Sequence, residues 1–162
     1  EKSRIFNNQP KALPMPGARQ LLEALRDMGL VIVLVTGSAQ HSLLDRLNAD
    51  YPGIFETHRM VTAFDVVHGK PHPEPYLMGL QRAGVEAAEA VVVENAPLGV
   101  EAAHAAGIFT YAINTGPLPD SVLWQAGADC VVPKDGGFEA VLQNVTHRLR
   151  RSLPPRPSHR PV

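Results

Sequence analysis

Leu30-Val31-Ile32-Val33-Leu34-Val35-Thr36-Gly37-Ser38 is an unbroken aliphatic run that ends abruptly in a glycine flanked by two hydroxyl residues. Residues 31–35 show no polar alternation, the pattern of a strand covered on both faces in a parallel sheet. Upstream, Leu21, Leu22, Leu25 and Met28 recur at three- and four-residue spacing, which predicts a helix opened by Gly17, running through Asp27 and stopped at Gly29. Downstream, Leu43, Leu44 and Leu47 predict a second helix within 38–48, before Pro52-Gly53 breaks the chain.

The same alternation continues to the end. Strands are expected at Met60–Phe64, Val91–Val93, Phe109–Ile113 and Cys130–Val132. Helices are expected over 74–83, 98–106, 122–126 and 138–149. Strict alternation of strand and helix predicts an α/β fold, a doubly wound Rossmann-like parallel sheet whose ligands bind beyond the carboxyl ends of its strands. Residues 1–16, polar and carrying Pro10, Pro14 and Pro16, read as a lead-in segment, 17–149 as the core, and 150–162 as a solvated Pro/Arg-rich disordered tail.

Three polar clusters fall at predicted strand ends. Thr36-Gly37-Ser38 offers hydroxyls and backbone N–H groups, which serve equally well as helix caps or as a cradle for a phosphate. Gly69-Lys70-Pro71-His72-Pro73 places an ammonium on a loop stiffened by two prolines, with His72 beside it as a candidate substrate contact. Glu94-Asn95 closes an apolar strand with hard oxygen donors suited to Mg²⁺. Together they make a site for a phosphate and a divalent cation. The seven histidines, 41, 58, 68, 72, 104, 147 and 159, are read as carrying no zinc-type spacing.

Composition limits the partners. The chain has 162 residues, 44% of them hydrophobic and 19% charged, enough for one ordinary domain. A formal net charge of -1 gives no long-range field for nucleic acid or an anionic membrane, so an anion site must be local. Cys130, the single cysteine, has no disulfide partner and is expected to be a small buried apolar residue, in keeping with a reducing cytoplasm. The aliphatic run at 30–35 is far too short to cross a bilayer. No GxGxxG, Walker loop or G-x-S-x-G is present.

The ordered clusters carry a resemblance. Val35-Thr36-Gly37-Ser38, Gly69-Lys70-Pro71-His72-Pro73-Glu74 and Val93-Glu94-Asn95-Ala96-Pro97-Leu98-Gly99 resemble the second, third and fourth motifs of the haloacid dehalogenase-like superfamily, in its β-phosphoglucomutase-like phosphatase and phosphomutase group. The resemblance implies that Thr36, Gly37 and Ser38 bind the transferring phosphoryl group, that Lys70 neutralises it, and that Glu94 and Asn95 hold Mg²⁺. It also implies a small phosphorylated metabolite as substrate and a phosphoaspartyl intermediate.

Two departures accompany it. The fourth motif ordinarily reads Glu-Asp, and here Asn95 stands second. The first motif, an Asp-x-Asp pair on the opening central strand, has no match, since none of Asp27, Asp45, Asp50, Asp65, Asp120, Asp129 and Asp135 has another two residues away. The sequence also opens on Glu1 rather than Met. The expectation is therefore a carboxyl-terminal core portion lacking the first central strand and the cap domain, inactive alone, with a missing N-terminal segment or a second chain completing the sheet. The alternative is a non-catalytic phosphate-binding or interaction module that has lost its nucleophile.

Overall fold

The computed structural model describes residues 14–40 and 42–152. Most of the lead-in segment, the end of the tail from 153 onward, and His41 and His159 lie outside the described residues. The elements run α1 (Ala18–Asp27), β1 (Leu34–Val35), α2 (Leu43–Asp50), β2 (Met60–Val61), α3 (Glu74–Ala83), β3 (Val91–Glu94), α4 (Pro97–Ala105), β4 (Phe109–Asn114), α5 (Asp120–Gln125), β5 (Cys130–Pro133) and α6 (Gly137–Ser152). Single 3₁₀ turns precede β2 and β3, at Thr57–Arg59 and Ala87–Glu89.

Every ladder is parallel, and the α/β alternation predicted from sequence holds. The strands form two separate sheets, β1-β2 and β3-β4-β5. Leu34 pairs with Met60 and Val35 with Val61; Val93 pairs with Tyr111, and Ile113 with Val132.

Side-chain alternation along β4 builds the core on both faces of the larger sheet. Tyr111 and Ile113 point to α1 and α6, where they meet Leu21, Phe138, Val141 and Val145. Ala112 points the other way, toward Val100 of α4 and Leu123 of α5. α4 is made of small residues, so it approaches the sheet closely: Ala102 and Ala103 are wholly buried beside Val92 and Tyr76. Thr110, the one buried polar residue of the described core, turns its hydroxyl to the Ile108 carbonyl at 2.9 Å. That bond removes the cost of an unpaired buried oxygen.

α3 joins the two sheets. Its Gly79 lies under β1, where an added Cβ would stand 3.2 Å from Val35 Cγ2, and its Tyr76 packs in the cluster beneath β3.

Several expectations need correction. The strand predicted for 31–35 pairs only at Leu34–Val35, because β1 has one ladder neighbour, β2. Val31 is 42% exposed, so the 31–35 run is not covered on both faces as expected for a sheet centre, and in β3 Val91 and Val93 are each 38% exposed. The strand predicted for 60–64 stops at Val61. Thr62 turns the chain by taking Asp65 onto both its N–H and its hydroxyl, at 2.7 and 2.8 Å. The second helix starts at Leu43, not Ser38, since Ser38 Oγ accepts the Gln40 N–H in a local turn. α6 continues to Ser152, past the boundary predicted at 149, and Cys130 is only partly buried at the core's edge. No helix among the described residues is long and apolar enough to cross a membrane.

Candidate active site

Lys70 is the centre of the arrangement. Its Nζ donates to the Val35 carbonyl at 3.2 Å, at the end of β1, and to Glu94 Oε1 at 2.5 Å, at the end of β3. The ammonium therefore spans the two sheets at the carboxyl ends of their parallel strands, where α/β sheets bind ligands. Its side chain is 19% exposed and that of Glu94 is 10% exposed.

Glu94 is held from every side. Oε1 also accepts the Tyr76 hydroxyl at 2.8 Å, and Oε2 accepts the Asn95 and Ala96 N–H groups at 2.9 and 3.1 Å. Burial is the largest influence on this carboxyl and opposes its charge. The Lys70 ammonium, the Ala96 N–H and the Tyr76 hydroxyl outweigh it and keep the group below the usual range for a glutamate. Burial, the Glu94 charge and the bond to it push the Tyr76 phenol upward, so Tyr76 remains a donor at all ordinary pH. The Lys70 ammonium lies 5.1 Å from the centroid of the Tyr76 ring.

Gly99, in the first turn of α4, makes room for the carboxylate. A Cβ there would stand 2.1 Å from Glu94 Oε1 and 2.6 Å from Oε2, and real Cβ atoms make no such contact.

Thr36 follows directly on the carbonyl that Lys70 grips. Its N–H donates to the Val61 carbonyl at 2.9 Å, and its Oγ1 accepts the Ser38 N–H at 3.1 Å. The hydroxyl keeps its own proton to donate, but the Ser38 N–H is already engaged. The helix that follows begins only at Leu43, so its N-terminus does not lie directly behind Thr36-Gly37-Ser38.

The sequence-predicted residues are thus brought together unequally. Lys70 contacts Glu94 and the backbone beside Thr36. Asn95 is adjacent to Glu94, and its Nδ2 donates to Thr115 Oγ1 at 3.2 Å. His72 makes its contacts elsewhere: its Nδ1 accepts the Glu74 N–H at 3.1 Å and its ring stacks on His68. Asp65, one of the aspartates without a partner two residues away, is a turn brace. The Arg82 guanidinium at 2.8 Å, with the Thr62 N–H and hydroxyl, lowers it to about 2.

Sequence reasoning missed Tyr76, which helical spacing marks only as an apolar position, and Gly99, whose role appears only when the carboxylate is seen beside it. Reading the histidines as free of zinc-type spacing overlooks His68 and His72, which stand four residues apart and meet in space.

The donor set bears on Mg²⁺. A carboxylate has about four acceptor positions, and those of Glu94 are all taken by protein donors. Asn95 Oδ1 is a neutral oxygen. A Mg²⁺ site ordinarily takes one or two carboxylates with waters and a phosphate oxygen, so Glu94 and Asn95 as arranged do not make one unaided.

Comparison with known proteins agrees with this architecture. The model of the haloacid dehalogenase-like hydrolase family matches residues 2–107, and the chain belongs to that family. Within it, the chain falls in the β-phosphoglucomutase-like group. A candidate β-phosphoglucomutase of Bacteroides vulgatus is 52% identical, with a TM-score of 0.80 over 88% of this chain and 59% of that one. The phosphorylated carbohydrates phosphatase of Thermotoga maritima is 36% identical over 138 residues, 82% of this chain and 60% of the relative. Hexitol phosphatase A of Escherichia coli is 38% identical over 100 residues, 62% of this chain and 45% of the relative. The chain therefore spans about half to three-fifths of the length of the relatives it matches.

Proposed function

We propose that this chain forms the carboxyl-terminal core of a phosphoryl-transfer enzyme, a phosphatase or hexose-phosphate mutase, acting on a small phosphorylated metabolite. The observation that carries the proposal is the Lys70 ammonium. Two of its three N–H groups are committed, to Val35 and Glu94, which leaves one to donate close to the end of β1, where Thr36 follows Val35 in the chain. A phosphoryl oxygen held there would meet a positive charge already fixed in place, with the Thr36 hydroxyl as a second donor.

In this reading Thr36, Gly37 and Ser38 orient the phosphoryl oxygens and Lys70 neutralises them. Glu94 fixes the ammonium, and Tyr76 with the Asn95 and Ala96 N–H groups fixes Glu94. The nucleophilic aspartate, which would form the phosphoaspartyl intermediate, is not among this chain's residues. A strand bearing it would lie between β1 and β3, each of which has a ladder partner on one edge only among the described residues. That strand would come from a preceding segment or from a second chain. Mg²⁺, when bound, would offset phosphoryl charge. Asn95 Oδ1 is the oxygen this chain can spare for it, and the carboxylates would come with the missing strand.

The test is magnesium-dependent phosphate release from sugar phosphates by a longer polypeptide that carries an Asp-x-Asp strand ahead of Glu1. Activity should fall by roughly 100-fold or more in Lys70→Ala, the scale on which preorganised charge contributes. Unchanged turnover in that variant would refute the assignment. The lack of Asp-x-Asp in the sequence supports a second reading, a phosphate-binding module without turnover. A natural product of 17.5 kDa by native mass spectrometry that binds phosphate and releases none would favour it.

A further inference from the structure

We infer that His68, His72 and Glu74 form a binding site for a borderline transition-metal ion such as Zn²⁺, apart from the phosphoryl site and independent of its assignment. One ligand atom from each of the three side chains lies within 4.8 Å of the others. His68 Nδ1 stands 2.8 Å from Glu74 Oε2, and the His68 and His72 rings stack with centroids 4.6 Å apart and planes 27° from parallel. Two imidazoles and one carboxylate are the ligand types that favour Zn²⁺, Ni²⁺ or Cu²⁺ over Mg²⁺. Donors about 2.0 Å from a tetrahedral ion are about 3.3 Å apart, so the His68–Glu74 pair at 2.8 Å needs to open slightly.

The supports of these ligands are already in place. The Val67 and His68 N–H groups hold Glu74 Oε1 and Oε2 at 2.7 and 2.9 Å, which fixes the carboxylate before any ion arrives. Pro71 and Pro73 bracket His72 and restrict its backbone. His58 beside Glu56, at 3.2 Å, has no third ligand of this kind among the described residues.

The ion takes the position of the hydrogen between His68 Nδ1 and Glu74 Oε2, and the single hydrogen of the neutral His68 ring then sits on Nε2, so no net proton is released. His72 gives up one exposed 3.1 Å bond, from the Glu74 N–H, so that one ring nitrogen binds the ion while the other carries hydrogen. The loop so closed runs from His68 to Glu74 and has Lys70 within it.

The test is calorimetric titration of the full chain with ZnCl₂ in excess Mg²⁺, with His68→Gln, His72→Asn and the control His58→Gln. His72→Asn retains a side-chain acceptor close to the Glu74 N–H. One equivalent of Zn²⁺ bound by the wild type and by His58→Gln, weakened tenfold or more in both other variants, is the expected result. No binding by the wild type, or binding unchanged in the His68 and His72 variants, overturns the site. If either variant fails to fold, the electron paramagnetic resonance of Cu²⁺ on the wild type decides instead. Coupling to two nitrogens supports the site, and coupling to fewer refutes it.

Discussion

Lys70 and Glu94 meet 2.5 Å apart across two sheets that share no ladder, and the same ammonium holds the last carbonyl of β1. The pair is an electrostatic staple as well as a candidate site. Because both side chains are largely removed from water, the charges depend on each other more than on solvent.

Lys70→Met should therefore cost stability as well as phosphate affinity. It leaves a buried carboxylate without its cation, a loss of about 3–5 kcal/mol when one partner of a buried pair is removed. Pairing it with Glu94→Gln should recover part of that loss, because the orphaned charge goes too. Urea unfolding of the two single variants and the double variant measures the coupling. Additive losses would show that the ammonium and carboxylate do not sustain each other.

Tyr76→Phe isolates one of the four bonds to Glu94. The ring stays in its apolar cluster while Oε1 loses a donor, and hydrogen bonds to charged groups contribute about 1.5–3 kcal/mol. Urea unfolding should show a loss in that range. Glu94 should also protonate at a higher pH in the variant, readable by carboxyl NMR. An unshifted titration would mean that the phenol does not bear on the charge.

The alternation that decides the fold was legible because apolar runs and their glycine stops are local: α3, β3, β4 and β5 fall within one residue of their predicted bounds. β1 and β2 were over-extended because a strand's length depends on its neighbour, which aliphatic composition does not specify. At the site, Thr36, Lys70 and Glu94 stood out as polar residues at strand ends. Tyr76 and Gly99 did not. A phenol on an apolar helix stripe looks like packing, and the requirement for glycine at 99 arises only from a carboxylate five residues away in sequence and in contact across the turn.

Gly99→Ala tests that requirement. The added methyl would occupy the space of Glu94 Oε1, and the carboxylate cannot swing aside without leaving Lys70, Tyr76 and two N–H groups. Overpacking of this kind costs about 1–3 kcal/mol. A crystal structure of the variant should show the Lys70–Glu94 contact broken. Retention of that contact with unchanged unfolding would mean that α4 shifts freely.

Acid should weaken the turn after β2 in a defined window. Asp65 is lowered to about 2 by Arg82 and Thr62, so its contribution is fully present above its unfolded value of 3.8 and is lost as pH falls toward 2. The side chains of Asp65 and Arg82 are each 28% exposed, and screening reduces the contribution to on the order of 1 kcal/mol. Unfolding free energies between pH 5 and pH 2 should fall less steeply in Asp65→Asn than in the wild type. Equal slopes would place the acid sensitivity elsewhere.

Asn95→Asp should create an affinity for Mg²⁺ that Glu94 and Asn95 as arranged do not supply. Glu94 is saturated by four donors, so a second carboxylate at 95 would be the first one free to meet a hard cation. The substitution exchanges an amide for a second negative charge beside Glu94, and repulsion between the two carboxylates should lower stability in the absence of the ion. Mg²⁺ should then restore it, since an ion bound to the native state alone stabilises by mass action. Thermal unfolding with and without MgCl₂ gives the measurement. The expected outcome is a larger Mg²⁺-induced rise in Tm for Asn95→Asp than for the wild type. An equal rise in both would mean that Glu94 releases a protein donor to bind the ion itself.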